Sequence, residues 1–135
     1  MKRYLLVTAL FLVAGIYANA QTASVKGPVI TWEKNTHAFG DIYQGDKVEQ
    51  VFSFTNTGNE PLIITNVQVT CGCTVPEWPK DPIAPKGKSS IKVAFNSTGK
   101  MGMQNKVVTI VSNSVGDANQ ITFTANVLEK KQQPQ

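Results

Sequence analysis

Two cysteines separated by one glycine, Cys71-Gly72-Cys73, are the residues of this sequence best suited to chemistry. In an extended chain, residues i and i+2 lie about 6.7 Å apart at Cα and on the same face. A disulfide prefers Cα separations of about 4.4–6.8 Å, so a kink at Gly72 would bring the pair within range. The bond could staple its loop or exchange with other thiols, because spacing alone does not fix the role of a cysteine pair.

A second arrangement of sulfur atoms suggests soft-metal binding as an alternative. Met101 and Met103 are also separated by one glycine, and thiolates combined with thioethers suit Cu(I). His37 is the only histidine, so the chain has only three Cys or His residues, one fewer than a tetrahedral zinc site needs. The sequence therefore offers copper binding through Cys71, Cys73, Met101 and Met103 as a hypothesis beside the disulfide, and it implies no other cofactor.

Motifs of hydrolytic or nucleotide-dependent enzymes do not support a catalytic function. The serines are not set in a G-x-S-x-G elbow. Gly87-Lys88-Ser89 resembles the end of a phosphate-binding loop, but Pro82 stands where that motif requires glycine. We therefore expect a protein that is not an enzyme.

The cysteine pair leads into a proline-framed tryptophan, with Pro76 and Pro79 on either side of Trp78. Loops at the ends of β-sandwiches commonly carry binding residues, so Trp78, Pro76 and Pro79 are candidates for contact with a protein or another cell-envelope component. Alternatively, Trp78 is an ordinary core or edge aromatic that buries a large apolar area. Both interpretations are compatible with the residues.

Short segments of alternating polarity surround these residues and predict β-strands. In residues 47–55, for example, Val48, Phe52 and Phe54 share one face. Leu62 and Ile64 are predicted to face opposite Val67 in the next strand. Turn-forming residues separate the segments, and the prolines after Cys73 exclude a central strand there. The predicted strands cover residues 29–32, 39–42, 47–55, 62–69, 90–95, 106–111 and 120–128.

About seven strands at this spacing predict an all-β, immunoglobulin-like antiparallel β-sandwich, with a closed barrel as the alternative. The sandwich is expected to span residues 29–128, after a flexible leader over residues 21–28 and before a disordered tail over residues 129–135. In the turn between residues 56 and 61, Gly58 is predicted to permit a left-handed backbone.

The first twenty residues have the features of a signal peptide. Lys2 and Arg3 precede an apolar run over residues 5–18, and Ala18-Asn19-Ala20 is a small-residue cleavage site. The apolar run is shorter than the roughly 20 residues that span a membrane, so no stable membrane span is expected after cleavage. Export predicts a periplasmic or secreted protein, in a compartment where disulfides persist.

Charge argues against nucleic acid as a partner. The formal net charge of +4 falls to +2 when Lys2 and Arg3 are removed. Apart from the terminal Lys130-Lys131 pair, the remaining lysines are scattered singly, whereas nucleic-acid-binding proteins concentrate basic residues on one face. We therefore expect a protein or cell-envelope partner.

The order of several segments resembles the immunoglobulin-like sandwich of the abnormal-spindle and hydin type. The Cys71-Gly72-Cys73-Thr74 core with Trp78-Pro79 is more specific and is similar to the bacterial domain-of-unknown-function family 1573. This resemblance implies the sandwich fold and an exported protein, and it implies no activity. His37-Ala38 stands where the pattern has an acidic residue before Phe39. The segments are Phe39-Gly40-Asp41, Gly45, Phe52 to Gly58, Pro61 to Ile64, Ile83 to Gly87 and Ile91 to Phe95.

Cleavage after Ala20 gives a direct prediction for the protein isolated from producing cells. The intact mass of the mature chain is expected to correspond to residues Gln21 to Gln135, because the small residues at 18 and 20 fit signal peptidase. Mass spectrometry of the protein from the envelope fraction measures this intact mass. A mass that retains residues 1–20 would contradict the signal peptide.

Overall fold

A computed structural model of the chain describes residues 24–130. The predicted signal peptide, the first three residues of the predicted leader and residues 131–135 lie outside the described range. Within residues 24–130 there is no helix long and apolar enough to cross a membrane. The eight strands are β1 (Ile30–Trp32), β2 (Thr36–Tyr43), β3 (Lys47–Asn56), β4 (Ile64–Val69), β5 (Thr74–Glu77), β6 (Lys88–Asn96), β7 (Gly102–Ser112) and β8 (Gln120–Leu128).

The strands form two four-stranded sheets that pack as a sandwich. The first sheet has the order β1-β3-β6-β5, and the second has the order β2-β8-β7-β4. All neighbouring strands are antiparallel except β2 and β8, which are parallel. The predicted immunoglobulin-like β-sandwich is thus confirmed, with eight strands and one parallel pair at the edge of the second sheet.

The alternating segments point their apolar residues into the space between the sheets, as predicted. In β3, Phe52 and Phe54 are buried, while the neighbouring Val51 faces outward and is half exposed. The same alternation holds in β6, β7 and β8. The core contributed by these three strands consists of Ile91, Val93, Phe95, Val108, Ile110, Ile121, Phe123, Ala125 and Val127.

Strand β5 was not predicted, because prolines argue against a strand. It forms at the edge of the first sheet, where a proline nitrogen can point away from the neighbouring strand. The N–H of Asn96 donates to the carbonyl of Cys73 at 2.8 Å, and this bond sets the phase of the β5–β6 ladder. In that phase the nitrogen of Pro76, which pairs with Val93, faces away from β6.

Strand β4 corrects the predicted orientation of Val67. Leu62, Ile64 and Val67 are all buried, although alternation placed Val67 opposite the other two. A register shift between Ile64 and Asn66 against β7 inserts one extra residue, and such a bulge reverses the faces of the residues that follow. The predicted opposite orientation of Val67 was therefore wrong.

One end of the sandwich is held by the side chain of Asn56, which is fully buried. Its Oδ1 accepts hydrogen bonds from the N–H groups of Val29 at 3.2 Å and Gly58 at 3.1 Å. Its Nδ2 donates to the carbonyls of Glu60 at 2.8 Å and Ile83 at 2.9 Å. One amide thus satisfies the backbone of three separate segments.

Gly58 is required for space rather than for a left-handed backbone, which was the prediction. Its φ is not positive, but a Cβ at this position would collide with the carbonyl oxygen of Gly27 and lie 2.6 Å from the nitrogen of Val29. Gly27 is buried and its N–H donates to Oδ1 of Asn59 at 2.8 Å. Ordered packing therefore begins at Gly27, within the stretch predicted to be a flexible leader.

The opposite end is held by Ser97, whose side chain is also fully buried. Its hydroxyl lies 2.8 Å from the carbonyl oxygen of Tyr43 and 2.9 Å from that of Asp46. Because Ser97 follows Asn96, which is bonded to Cys73, this end of the sandwich is also the end that carries the cysteines.

The burial of β3 predicts the effect of truncating its inward side chains. Phe52→Ala is expected to lower the free energy of unfolding by about 3–5 kcal/mol, since Phe52 is only 2% exposed and its removal leaves a cavity. The neighbouring Val51→Ala, on the exposed face, should cost no more than about 1 kcal/mol. Urea denaturation of both variants provides the measurement. Equal losses would show that the assigned faces of β3 are incorrect.

Candidate functional site at the disulfide end of the sandwich

The cysteines lie where the chain crosses from one sheet to the other. Residues 70–73 connect β4, at the edge of the second sheet, to β5, at the edge of the first. We call this connection the disulfide turn, because Cys71 and Cys73 are joined by a disulfide with a Cα–Cα distance of 5.3 Å. This distance is ordinary for a disulfide. Both residues are half-buried, and Cys73 packs against the core.

Thr74 holds its hydroxyl beside both sulfur atoms. The side chain is buried, and Oγ1 lies 3.8 Å from Sγ of Cys71 and 3.9 Å from Sγ of Cys73. The backbone N–H of Thr74 donates to the carbonyl of Cys71 at 3.3 Å, which closes the turn. Sulfur is a weak hydrogen-bond acceptor, so this buried hydroxyl is poorly satisfied while the disulfide is intact. Sequence reasoning assigned no role to Thr74.

Two clefts lie on the outer face of the first sheet, between the disulfide turn and Trp78. The first, the Val75 cleft, has a volume of about 330 Å³. The second, the Trp78 cleft, has a volume of about 340 Å³. The first is lined by Lys47, Glu49, Gly72, Val75, Ala94, Phe95 and Asn96. The second is lined by Val51, Glu77, Trp78, Ser90 and Lys92.

Strand pairing places these clefts next to each other. Glu49, Ala94 and Val75 form one row across β3, β6 and β5, and Val51 lies in the next row. Val75 is 57% exposed and Val51 is 49% exposed. The outer face therefore presents apolar side chains at positions that are usually polar in a sandwich. We call Val51, Ala94 and Val75 on this face the apolar strip.

Charged residues border this apolar strip. Nζ of Lys92 lies 3.1 Å from the carboxylate of Glu77 across the β5–β6 pair. The hydrogen bond from Lys92 to Glu77, followed by the charges of Glu77 and Glu49, raises the pKa of Lys92. Because 37% of the Lys92 side chain and 66% of the Glu77 side chain are exposed to water, this ion pair contributes little to the stability of the fold.

Trp78 is half-buried and does not project from the end of the sandwich. Its ring packs against the core, and Nζ of Lys80 lies 3.1 Å from the ring centroid. The indole Nε1 is buried without a hydrogen-bond partner among residues 24–130. By contrast, Nε1 of Trp32 donates to the carbonyl of Ala118 at 2.8 Å. The ring of Trp78 therefore contributes one wall of a cleft; contact with a partner remains a prediction for Trp78, Pro76 and Pro79.

The copper hypothesis requires sulfur atoms that the disulfide occupies. With Cys71 and Cys73 bonded to each other, neither supplies a thiolate, so a copper site would first require reduction. Met101 and Met103 are 53% and 70% exposed. Within residues 24–130, no group of three or more His, Cys, Asp and Glu residues is placed to hold a metal ion. Copper binding stays a prediction for the reduced protein.

His37 lies away from the cysteines in the topology of the fold. It belongs to β2, at the opposite edge of the second sheet from β4, which leads into the disulfide turn. Its ring contacts that of Phe39, with centroids 4.6 Å apart. Burial, followed by the charge of Lys34, lowers the pKa of His37. The structure therefore does not join His37 with the cysteine pair in one site.

The Cys-Gly-Cys-Thr turn within a sandwich is also where the chain matches a known family. Residues 30–127 match the family described as "Protein of unknown function (DUF1573)". The chain belongs to this family. No curated protein matches it in sequence. Membership confirms the resemblance noted from Cys71-Gly72-Cys73-Thr74 and supplies no activity.

Solved structures similar to this DUF1573 domain support the fold. A protein of unknown function from Porphyromonas gingivalis aligns with a TM-score of 0.64 at 18% identity, over 82% of this chain and 51% of that chain, so the match spans about half of that protein. The ASH/PapD-like domain 7 of human CEP192 aligns with a TM-score of 0.64 at 8% identity, over 96% of this chain and 100% of that domain. The YadV chaperone aligns with a TM-score of 0.53 at 16% identity, over 73% and 51% of the two chains. At these identities the likeness shows the fold alone.

The small size of the disulfide loop predicts a modest contribution to stability. Replacing both cysteines, Cys71→Ala with Cys73→Ala, is expected to lower the free energy of unfolding by about 1.5 kcal/mol, because closing a three-residue loop removes little entropy from the unfolded chain. Chemical denaturation of the oxidised wild type and the double variant gives the difference. A loss as large as that expected for Phe52→Ala would identify the bond as an essential staple.

Proposed function

We propose that this domain is an exported, non-enzymatic binding module of the bacterial cell envelope, which holds a protein partner on the outer face of its first sheet. The observation that carries this proposal is the exposure of Val51 and Val75 at outward positions, beside two adjoining clefts. Removing such side chains from water favours association, by about 1 kcal/mol for each half-exposed valine. Both lie on paired strands, so little conformational entropy is lost when a partner binds.

The charged residues around the strip give the surface an orientation. Lys47 and Glu49 border the Val75 cleft, and the Lys92–Glu77 pair borders the Trp78 cleft. Charges at the rim of an interface mainly select the partner and its orientation, whereas the buried apolar centre supplies affinity. Lys92 and Glu77 neutralise each other across two strands and do not converge on a reactive atom, which supports binding over catalysis.

A partner is expected to pack on the face of the sheet and not to extend its edge. Strand addition needs free N–H groups along the edge strand. At the free edge of β5, Pro76 has no N–H, and the N–H of Thr74 is bonded to Cys71. At two successive positions of this edge, a partner strand would therefore find no free N–H group. Natural edge strands avoid unwanted pairing in this way.

The sequence before the sandwich supports export. Lys2, Arg3, the apolar run and Ala18-Asn19-Ala20 are typical of a signal peptide, and the disulfide is stable in an oxidising compartment. A periplasmic or secreted location would therefore suit both the amino-terminal residues and the cysteines.

Crosslinking from the two faces of the sandwich tests the proposal. A photoreactive amino acid at position 51, in the producing cells, is expected to capture a protein partner. The same residue at Val111, which is 37% exposed on β7 of the second sheet, is the matched control and should not capture it. Equal capture from both positions would contradict a specific site on the first sheet.

The captured partner then allows an affinity measurement with purified proteins. Val51→Glu is expected to weaken binding at least about tenfold, because it places a charge in the apolar strip. Val111→Glu should leave the affinity unchanged. Circular dichroism confirms that both variants are folded. If Val51→Glu binds the partner with wild-type affinity, the proposed binding surface is wrong.

A further inference from the structure

We propose that the Cys71–Cys73 disulfide is an exchange site that oxidises a dithiol of another protein, with Thr74 as the residue that stabilises the departing sulfur. This activity goes beyond the proposed binding function: one disulfide oxidises one dithiol stoichiometrically, and the substrate would contact only the Val75 cleft of the proposed surface. It rests on the placement of the disulfide, the buried hydroxyl beside it and the short loop that it closes.

An incoming thiol has access to the disulfide turn from the side of Gly72. This glycine is exposed, and a Cβ added to it would meet no other atom within 4 Å. Gly72 also lines the Val75 cleft, whose apolar wall could hold the chain on either side of a substrate cysteine. A substrate segment can therefore approach the sulfur atoms without displacing a strand.

The two sulfur atoms differ in their surroundings. Cys73 packs against the core, whereas Cys71 is not among the residues packed there. The carbonyl of Cys73 is also tied to Asn96 of β6, so this side of the bond is the more firmly held. We therefore assign Cys71 Sγ as the atom that a substrate thiolate attacks and Cys73 Sγ as the leaving group.

Thr74 supplies what the leaving sulfur needs. Within residues 24–130, the hydrogen-bond contacts of its buried hydroxyl are those with the two sulfur atoms. A thiolate accepts a hydrogen bond much more strongly than a disulfide sulfur does, because it is charged. The hydroxyl therefore favours the opened form, and thiolates of lower pKa leave more readily in exchange. The charged groups beside the turn are Lys47 and Glu49, which have opposite signs.

The exchange consists of two balanced displacements. The substrate thiolate forms a bond to Sγ of Cys71, the Cys71–Cys73 bond breaks, and its electron pair leaves on Cys73 as a thiolate that accepts the hydrogen bond from Thr74. The second substrate thiolate then attacks the substrate sulfur that is bonded to Cys71. The bond to Cys71 breaks, and Cys71 leaves as a thiolate. Two electrons pass from the substrate dithiol, which becomes a disulfide, to the Cys71–Cys73 pair, which becomes a dithiol.

The fold can tolerate this opening. The disulfide closes a loop of only three residues, so breaking it adds little conformational entropy to the unfolded chain. Strand β5 pairs with β6 from Thr74 to Glu77 through backbone groups, and this pairing does not involve the sulfur atoms. Reduction would therefore leave the sandwich folded.

The test uses the mature chain and its variant Thr74→Val, which removes the hydroxyl and keeps the shape of the side chain. The probe is a model peptide with two cysteines, whose oxidation is followed by alkylation and mass spectrometry. Thr74→Val is expected to slow exchange about tenfold and to raise the pKa of the leaving thiol, read from thiolate absorbance. Thr74→Ser, which restores a hydroxyl, should recover most of the rate.

Thr57→Val is the matched control, because the hydroxyl of Thr57 bonds to Thr31 at 2.7 Å and does not contact the cysteines. It should leave the exchange rate unchanged. A wild-type rate and thiol pKa in Thr74→Val would overturn the role of the hydroxyl. A wild-type disulfide that resists excess dithiol while the protein stays folded would overturn the exchange site itself.

A further variant keeps the test decisive. If Thr74→Val does not fold, Cys71→Ser leaves Cys73 as a single thiol, and its pKa is expected to lie below the ordinary value of about 8.5. A value at or above 8.5 would contradict stabilisation by Thr74. The exchange assay follows the oxidation of a dithiol peptide by the purified chain, whereas the binding test reads photocapture from position 51 in cells, so failure of the binding proposal would be distinguishable from failure of this one.

Discussion

The end of the sandwich opposite the disulfide depends on the hydrogen bonds of the buried Asn56 amide. Its four hydrogen bonds connect the start of β1, the turn after β3 and the connection into β6. The fully buried amide of Asn56 would be unsatisfied without these partners, which costs more than an ordinary hydrogen bond contributes. Gly58 lets the same segments approach closely, because a side chain there would meet the backbone of Gly27. Packing at this end is therefore set by polar contacts as much as by the apolar core.

The other end depends on a chain that changes sheets. The turn between β4 and β5 leaves one sheet and joins the other, and the Asn96–Cys73 hydrogen bond ties it to β6. Ser97 ties the connection after β6 to the connection between β2 and β3 at the same end. The disulfide therefore sits on a turn that is tied to β6, although the short loop it closes is expected to add little stability. Backbone hydrogen bonds support the turn. The proposed thiol exchange would use the sulfur atoms, and the proposed binding would use the adjoining face of β3, β6 and β5.

Regular alternation of polar and apolar residues predicts the buried face of a strand, and a single inserted residue makes that prediction wrong. Residues of β3, β6, β7 and β8 follow a strict period of two, so their buried faces could be predicted without knowing their neighbours. In β4, the bulge before Asn66 depends on pairing with β7, and it moved Val67 into the core. Strand β5 was missed because Pro76 is compatible only with an edge strand, and an edge position is a property of the whole sheet.

The sandwich class, the family and the closeness of the two cysteines follow from the amino-acid sequence, because two residues separated by one glycine are neighbours in any fold. The surroundings of the cysteines depend on how the chain packs. Thr74 faces both sulfur atoms because the turn folds back on itself, and Trp78 is half-buried because β5 lies against the core. The apolar strip exists because strand pairing aligns Val51 and Val75 in adjoining rows across β6. The alignment of Val51 with Val75 joins residues distant in the chain, and it follows from a register that local patterns do not specify.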